Sequence, residues 1–149
     1  MALDWLTQAY IQELIQTRDL IALTNDDSSN ATTINATVIN SAMEQAEAFV
    51  KGYVQTKYEL PFVVIPELVK NIARSMSLYY LYERKRNITN SMQLSYENDI
   101  QKLKDIAKGV ITLDTAPEVN PFQTKDTQKL MYVDDYTEAP FQSDKLDTM

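Results

Sequence analysis

The side chains in this sequence with the chemistry to act on a substrate are tyrosines, lysines and carboxylates. The 149 residues include no cysteine and no histidine. Their absence removes thiol nucleophiles, the usual zinc ligands and the commonest general base near neutral pH. Lysine, tyrosine and glutamate can transfer protons in principle, but no motif singles any of them out. We therefore expect no enzyme activity, no catalytic residue and no cofactor.

Two pairs of adjacent acids are the candidates for a metal site. They are Asp26 with Asp27, and Asp134 with Asp135. A hard cation needs several converging oxygen ligands. Because neither pair lies in a loop with calcium-binding spacing, both are interpreted as solvated loop acids. The sequence therefore predicts no metal site.

Tyrosines are concentrated in one part of the chain, where Tyr79, Tyr80 and Tyr82 stand close together. Together with Tyr53, Tyr58 and Tyr96 they could form an aromatic box around a cofactor. At helical spacing, however, such a stripe more often packs in a protein core. We interpret these tyrosines as core residues.

Arg84, Lys85 and Arg86 form the only basic cluster. They are either the solvated end of a helix, since basic side chains suit helix C-termini, or a patch that meets DNA or an acidic partner. The overall charge is −7. Residues 1–113 carry 11 basic and 13 acidic groups, and residues 114–149 carry 3 and 8. This acidic balance argues against general binding to duplex DNA, which needs many cationic phosphate contacts.

Three long helices are predicted to position these groups. The first spans about residues 35–57, with apolar residues at steps of three and four on one face. Glu47 and other polar residues are assigned to the opposite face. Gly52 lies inside this helix, where it either permits a close helix crossing or is simply tolerated, at a cost of about 1 kcal/mol.

The second long helix is predicted over residues 66–85. Residues 76–82 are apolar on nearly every side, which is typical of a helix at the centre of a fold or at an interface. The third is predicted to start at Asn90, with Gln93 completing a capping box, and to end at Gly109. A short β-prone run follows over residues 110–113. The expected core residues are Phe49, Tyr53, Ile72, Met76, Tyr80, Tyr96, Ile100 and Leu103.

Shorter elements complete the prediction for residues 1–113. The first 24 residues indicate two short helices, with Leu14 on the apolar face of the first. Residues 60–66 form an apolar connector between long helices. The N-terminus has no signal-peptide pattern, and no stretch approaches the roughly 18 apolar residues of a membrane span. The expected fold is mainly α, a small helical bundle of three long helices plus short N-terminal helices.

Residues 114–149 differ in composition, with three prolines, scattered acids and no helical period. We expect an extended acidic C-terminal arm that lies on a neighbouring subunit. The segment 129–133 is its best anchor, because β-prone residues can add a strand to a partner's sheet edge. The alternative is that this segment folds back on its own helices. The candidate partner-binding residues are Phe122, Leu130, Met131, Tyr132, Val133, Tyr136 and Phe141.

The order of segments resembles that of a known family, and two short motifs are the most specific part of the resemblance. One is Tyr58-Glu59-Leu60-Pro61, before the second long helix, and the other is Ile106-Ala107-Lys108-Gly109, which closes the third. Over about residues 10–113 the chain resembles the Mu-like phage family of head-to-tail joining proteins, related in fold to the connector and adaptor proteins under the portal. The resemblance implies a helical bundle that assembles as a dodecameric ring below the portal, without catalytic residues.

The expected function is that of a structural virion protein in the neck of a tailed bacteriophage, assembled in the host cytoplasm. Its expected partners are itself, the portal protein and another neck or tail protein. Genomic DNA would pass through the ring without specific binding, and no membrane is involved. The basic cluster at Arg84 to Arg86 should then point away from the lumen. The alternative is a cytosolic helical module for protein interaction or regulation, also without catalysis.

Overall fold

A computed structural model describes residues 5–27 and 30–114, and within these ranges the chain forms five helices and no strand. The mainly helical fold predicted from the sequence is confirmed. None of the described helices is both long and apolar enough to cross a bilayer. The helices are α1 (Gln8–Gln12), α2 (Thr17–Thr24), α3 (Ala36–Val54), α4 (Glu67–Arg84) and α5 (Asn90–Lys108).

The three long helices enclose the main core. The N-terminal half of α3 lies beside the C-terminal half of α4, and Tyr79 in the second half of α4 stacks on Tyr96 in the first half of α5, so neighbouring long helices run in opposite directions. α3 packs mainly against α4, and α5 packs against both. Apolar side chains at helical spacing point into the space between them. The buried apolar residues of these three helices are Ile39, Ala42, Met43, Ala46, Val50, Val54, Val69, Ile72, Ala73, Met76, Leu81, Leu103 and Ile106.

The core residues predicted for the centre of the bundle are correct, but the prediction also included residues at its edge that are only partly buried. Ile72, Met76 and Leu103 are fully enclosed. The other five predicted residues are only partly buried and pack around the buried cluster. Four of them are aromatic, and the two on facing turns of α4 and α5, Tyr80 and Tyr96, keep their hydroxyls near the edge of the core. Leu14, assigned to an apolar face, is 45% exposed.

Both ends of α5 are fixed by local hydrogen bonds. The N-cap is Thr89, whose Oγ1 accepts from the backbone N–H of Met92 at 3.3 Å, so the expected capping box led by Asn90 was wrong by one residue. At the other end Gly109 has φ +80°. The N–H groups of Gly109 and Val110 donate to Ile106 and Asp105, which is the paired C-terminal arrangement that favours glycine.

The β-prone run after α5 is not a strand in the described structure. It leaves the helix as a turn, and the N–H of Leu113 donates to the hydroxyl of Tyr58 at 2.9 Å. Tyr58 is 1% exposed. This bond satisfies a buried backbone donor and ties the end of α5 to the residues that follow α3.

α1 is held on α4 through one aromatic ring. Tyr10 lies beneath two cations, with Arg74 Cζ 4.1 Å and Lys70 Nζ 4.8 Å from the ring centroid. Its hydroxyl donates to Asn71 Oδ1 at 2.9 Å. Arg74 also donates to Glu13 at 3.0 Å. Since cation–π contacts contribute about 0.5–1 kcal/mol when exposed, this cluster orients α1 more than it stabilises the whole fold.

Gly52 is not required by any close helix crossing. A Cβ placed on it would meet nothing within 4 Å, and the residue is exposed within α3. Of the two explanations offered by the sequence, the tolerated glycine is the correct one.

Replacing Gly52 by alanine is expected to raise the free energy of unfolding by about 1 kcal/mol. Glycine in a helix interior loses more backbone entropy on folding than alanine, and the new methyl group has open space. Urea unfolding followed by circular dichroism measures the change. Gly109→Ala is the matched control, since its positive φ makes the same substitution destabilising. Equal effects at the two positions would contradict this explanation.

Candidate interaction surfaces

Tyr79, Tyr80 and Tyr96 form one aromatic cluster where the C-terminal half of α4 faces the N-terminal half of α5. The rings of Tyr79 and Tyr96 are stacked, with centroids 4.0 Å apart and planes 5° from parallel. Tyr80 meets Tyr96 edge-on, at 6.0 Å and 69°. Such geometries add to the burial of the rings, so the cluster fastens these parts of the two helices together.

The hydroxyls of this cluster are engaged with each other and with α5. Tyr79 donates to Gln93 Oε1 at 2.7 Å, and Tyr80 shares a 3.4 Å hydrogen bond with Tyr96. Partial burial raises the pKa of Tyr79, and the nearby Glu83 and Glu97 carboxylates raise it further. Burial raises the pKa of Tyr80 still more, with its hydrogen bond to Tyr96 contributing. Both hydroxyls therefore stay protonated near neutral pH, and neither is prepared to act as a base.

Tyr79 and Tyr80 are expected to ionise at higher pH than exposed tyrosines. The folded chain keeps these protons at pH values where the unfolded chain, with an ordinary tyrosine pKa of about 10, releases them. The contribution of these two protons to the free energy of unfolding is therefore fully present below pH about 10, and it is lost as the pH rises further. An ultraviolet absorbance titration of tyrosinate measures this. The matched control is Tyr79→Phe/Tyr80→Phe, which should lose the late phase. The prediction would be contradicted if the titration curves of the wild type and the variant coincided once each is divided by its number of tyrosines.

A small groove lies beside the tyrosine cluster, between α4 and α5. Its volume is about 150 Å³. Its lining is largely aromatic and aliphatic, and tyrosine is its only ionisable residue type. We call it the tyrosine groove, and its residues are Ser75, Leu78, Tyr79, Tyr82, Met92, Ser95 and Tyr96.

A larger and more polar groove of about 530 Å³ lies between the N-terminal half of α3 and the C-terminal half of α4. The wall that α3 contributes to the groove is low, because Thr37, Ser41 and Ala42 have small side chains. Glu83 and Arg84 supply charge on the α4 side. This groove was not predicted from the sequence, although the small residues on one face of α3 were the available signal.

The structure places the basic cluster against its own chain. Arg84 forms an ion pair with Asp26 and donates to the carbonyl oxygen of Leu23 at 3.3 Å. Lys85 donates to the carbonyl oxygen of Asn25 and lies 3.7 Å from Asp26. The two side chains thus hold the end of α2, a role that neither interpretation from the sequence included. Arg86 is exposed and has φ +54°.

The same contacts account for one of the two acid pairs. Asp26 faces Arg84 and Lys85, and Asp27 also has an interaction partner. Within residues 5–27 and 30–114 no three potential metal-ligating side chains lie together. Asp134 and Asp135 lie outside the described residues, as do the arm residues Phe122, Leu130, Met131, Tyr132, Val133, Tyr136 and Phe141.

Glu47 is the polar residue that the sequence placed wrongly. It is 3% exposed, not on the outer face of α3. Its Oε1 accepts from the backbone N–H groups of Trp5 and Leu6 at 3.0 and 2.9 Å. Its Oε2 lies 3.5 Å from Lys51 Nζ. The carboxylate thus fastens the segment before α1 to the middle of α3.

The spacing of Glu47 was the signal that could have revealed its burial. It occupies the same helical stripe as Met43, Val50 and Val54, at steps of three and four. A charged residue within such a stripe is buried only where donors meet it, and here those donors come from a segment far away in sequence.

The fold and these surfaces define a small helical protein in which most buried or clustered polar groups serve internal contacts and the open surfaces are shallow grooves. The chain belongs to the family described as Bacteriophage Mu, Gp36, whose model matches residues 5–131. It is also 28% identical over 72 residues to gene product J of Escherichia phage Mu. That match covers 48% of this chain and 50% of the relative, so the chain spans about half of the relative's length.

The family match confirms the Mu-like phage resemblance and extends it. The resemblance on short motifs covered about residues 10–113, whereas the family model continues to residue 131. Part of the segment predicted as an arm, including Phe122 and Leu130, is therefore shared with the family.

Proposed function

We propose that this protein is a structural subunit of a phage virion neck, where it forms a ring that joins the portal to the tail and lets DNA pass. The observation that carries the proposal is membership of a bacteriophage Mu protein family over residues 5–131. The chain then acts as a binding and joining element, without catalysis. The dodecameric copy number follows from the resemblance to head-to-tail joining proteins.

The charge of the described surface supports this role. The two basic side chains that begin the cluster, Arg84 and Lys85, contact their own chain, and the whole chain is acidic at −7. A ring of acidic subunits would let duplex DNA slide past, because tight binding to DNA depends on cationic contacts to phosphates.

Purified chain mixed with the portal protein of the same phage tests the proposal. We expect a ring of density to appear on one end of the portal by electron microscopy of the mixture. Mass spectrometry of purified virions should detect the chain in the particle. Failure to bind portal together with absence from virions would instead favour the cytosolic interaction or regulatory module.

The C-terminal segment has its own place in this proposal. We propose that residues 114–149 contact a neighbouring subunit or another neck or tail protein. A chain ending at Asp114 tests this. It should keep the helicity of the full chain, because the described helices bury a core of their own apolar residues, yet fail to enter necks. Collapse of helicity on truncation would show that the segment belongs to the fold of its own subunit.

A further inference from the structure

Arg86 occupies a backbone position that ordinarily belongs to glycine. It follows α4 with φ +54°, and its N–H donates to the carbonyl oxygen of Glu83 at 2.8 Å. The next N–H, of Asn87, donates to the carbonyl oxygen of Tyr82 at 3.0 Å. In this paired helix ending the left-handed residue is usually glycine, because a Cβ is crowded by the backbone there. Arginine at this position therefore carries a conformational cost.

The end of α5 shows the same arrangement with the favoured residue. Gly109 has φ +80°, and its N–H donates to the carbonyl oxygen of Ile106 at 3.1 Å. The N–H of Val110 donates to that of Asp105 at 2.8 Å. The two helices thus end with the same pair of hydrogen bonds, one closed by glycine and the other by Arg86. A non-glycine residue held in this conformation is a reason to ask what its side chain does.

The Arg86 side chain has no use within the described fold. It is exposed, and no carboxylate in the described part of the chain forms an ion pair with it. The two residues before it behave differently, since Arg84 and Lys85 both contact Asp26 and hold the turn against the end of α2. A fixed turn therefore presents the Arg86 guanidinium to the surroundings.

We propose that the Arg86 guanidinium of one copy binds the adjacent carboxylates of Asp134 and Asp135 in the next copy. This contact rests on the proposed ring function and names the surface that receives the C-terminal segment. Guanidinium pairs with carboxylate through two parallel N–H···O hydrogen bonds. Residues 130–139 carry three acids and no base, and residues 114–149 contain no other adjacent pair of acids. Charge thus matches this part of the segment to Arg86.

The length of the segment permits the contact. Leu113 donates to Tyr58, so the segment leaves the bundle at the end where α4 begins, whereas Arg86 follows the end of α4. The 18 residues of α4 hold these two ends about 27 Å apart. The stretch from Asp114 to Asp134 can span up to about 66 Å. It is therefore long enough to pass one subunit and reach the next.

Arg86→Gly is expected to stabilise the fold while it removes the contact. Relief of the left-handed backbone should raise the folding equilibrium constant about fivefold, which urea unfolding measures. Arg86→Ala removes the same guanidinium but keeps a Cβ, so its folding equilibrium constant should stay within about twofold of wild type. Both variants should lose the contact between copies. An arginine that is merely tolerated at this turn would give the gain in stability without that loss, which would overturn the proposal.

The native sequence has no cysteine, so disulfide trapping can locate the contact on the full chain. Asn87→Cys places a thiol at an exposed position next to Arg86, and Thr137→Cys places one two residues after Asp135. The two variants are mixed in equal amounts and oxidised mildly, both alone and with portal protein. We expect disulfide dimers from the mixture and few from either variant by itself.

Charge variants added to these thiols identify the groups in contact. Arg86→Ala should lower the yield of dimers by about fivefold or more, since it removes a two-pronged hydrogen bond to a charged partner. Arg18→Ala, which removes an exposed arginine from α2, is the matched control and should leave the yield unchanged. Arg86→Glu in one copy should also lose dimers, and Asp134→Lys/Asp135→Lys in the other copy should restore them.

Three results would overturn this contact. The first is an absence of dimers both with portal and without it. The second is a disulfide within single chains of Asn87→Cys/Thr137→Cys, which would show that the segment binds its own copy. The third is duplex DNA binding by wild-type protein that Arg86→Ala abolishes, which would make phosphate the partner. A ring on portal without the disulfide would keep the neck function and remove the contact, whereas dimers without a ring would do the reverse.

Discussion

Replacing Glu47 by alanine is expected to lower the free energy of unfolding by about 3 kcal/mol. The substitution leaves the N–H groups of Trp5 and Leu6 without the acceptor that they have at 3.0 and 2.9 Å. It also removes the ion pair between Glu47 and Lys51. Removing one member of a buried, hydrogen-bonded ion pair costs about 3–5 kcal/mol. The lower end applies because the Lys51 side chain is 28% exposed and remains partly solvated.

Thermal and urea unfolding measure this effect. For a domain of this size, 3 kcal/mol corresponds to a fall in Tm of roughly 10 °C. Glu47→Gln keeps an acceptor for the two N–H groups and loses only the ion pair, so we expect about 1 kcal/mol. Gln45→Ala, exposed on the same helix, should stay within about 0.5 kcal/mol of wild type. A loss below 1 kcal/mol for Glu47→Ala would show that the segment before α1 is not fastened by this carboxylate.

The parts of the fold that follow from local rules were predictable from the sequence. The limits of α5 are an example, because Gly109 provides the positive φ that closes the helix. The predicted start at Asn90 is also correct, and only the cap was assigned one residue too late, since Thr89 and Asn90 are both good caps and the backbone geometry selects Thr89. Periodicity likewise gave Ile72, Met76 and Leu103 as core residues, which they are.

The features that depend on distant segments were not predictable. Glu47 lies on the buried stripe of α3, but the two donors that meet its carboxylate belong to Trp5 and Leu6, 42 and 41 positions away, and α3 alone does not show those donors. Arg84 faces Asp26 for a similar reason, since the end of α2 meets the end of α4 only in the folded chain. Tyr80 and Tyr96 were assigned to the core by period, whereas both are only partly buried. Tyr96 lines the tyrosine groove, and Tyr80 lines the larger groove between α3 and α4.

The position of α5 within the core leads to the second large effect. Its buried side chains are confined to its C-terminal half, where Leu103 and Ile106 are 0% exposed. Its N-terminal half meets α4 through Tyr96 at the tyrosine groove. If α5 folds together with α3 and α4, its buried C-terminal half must contribute most of the free energy by which α5 stabilises the fold.

Leu103→Ala is therefore expected to lower the free energy of unfolding by about 3 kcal/mol, within the 2–5 kcal/mol typical of leucine truncation in a core. The loss combines the transfer free energy of the removed methyl groups with the cavity left between α3, α4 and α5. Urea unfolding with a constant slope measures it.

Leu94→Ala is the matched control, because the same truncation occurs on the same helix at a residue that is 59% exposed. We expect a change below about 0.5 kcal/mol there. Equal losses at the two leucines would mean that α5 does not pack as described, and an early separate transition in Leu103→Ala would show that α5 unfolds apart from α3 and α4.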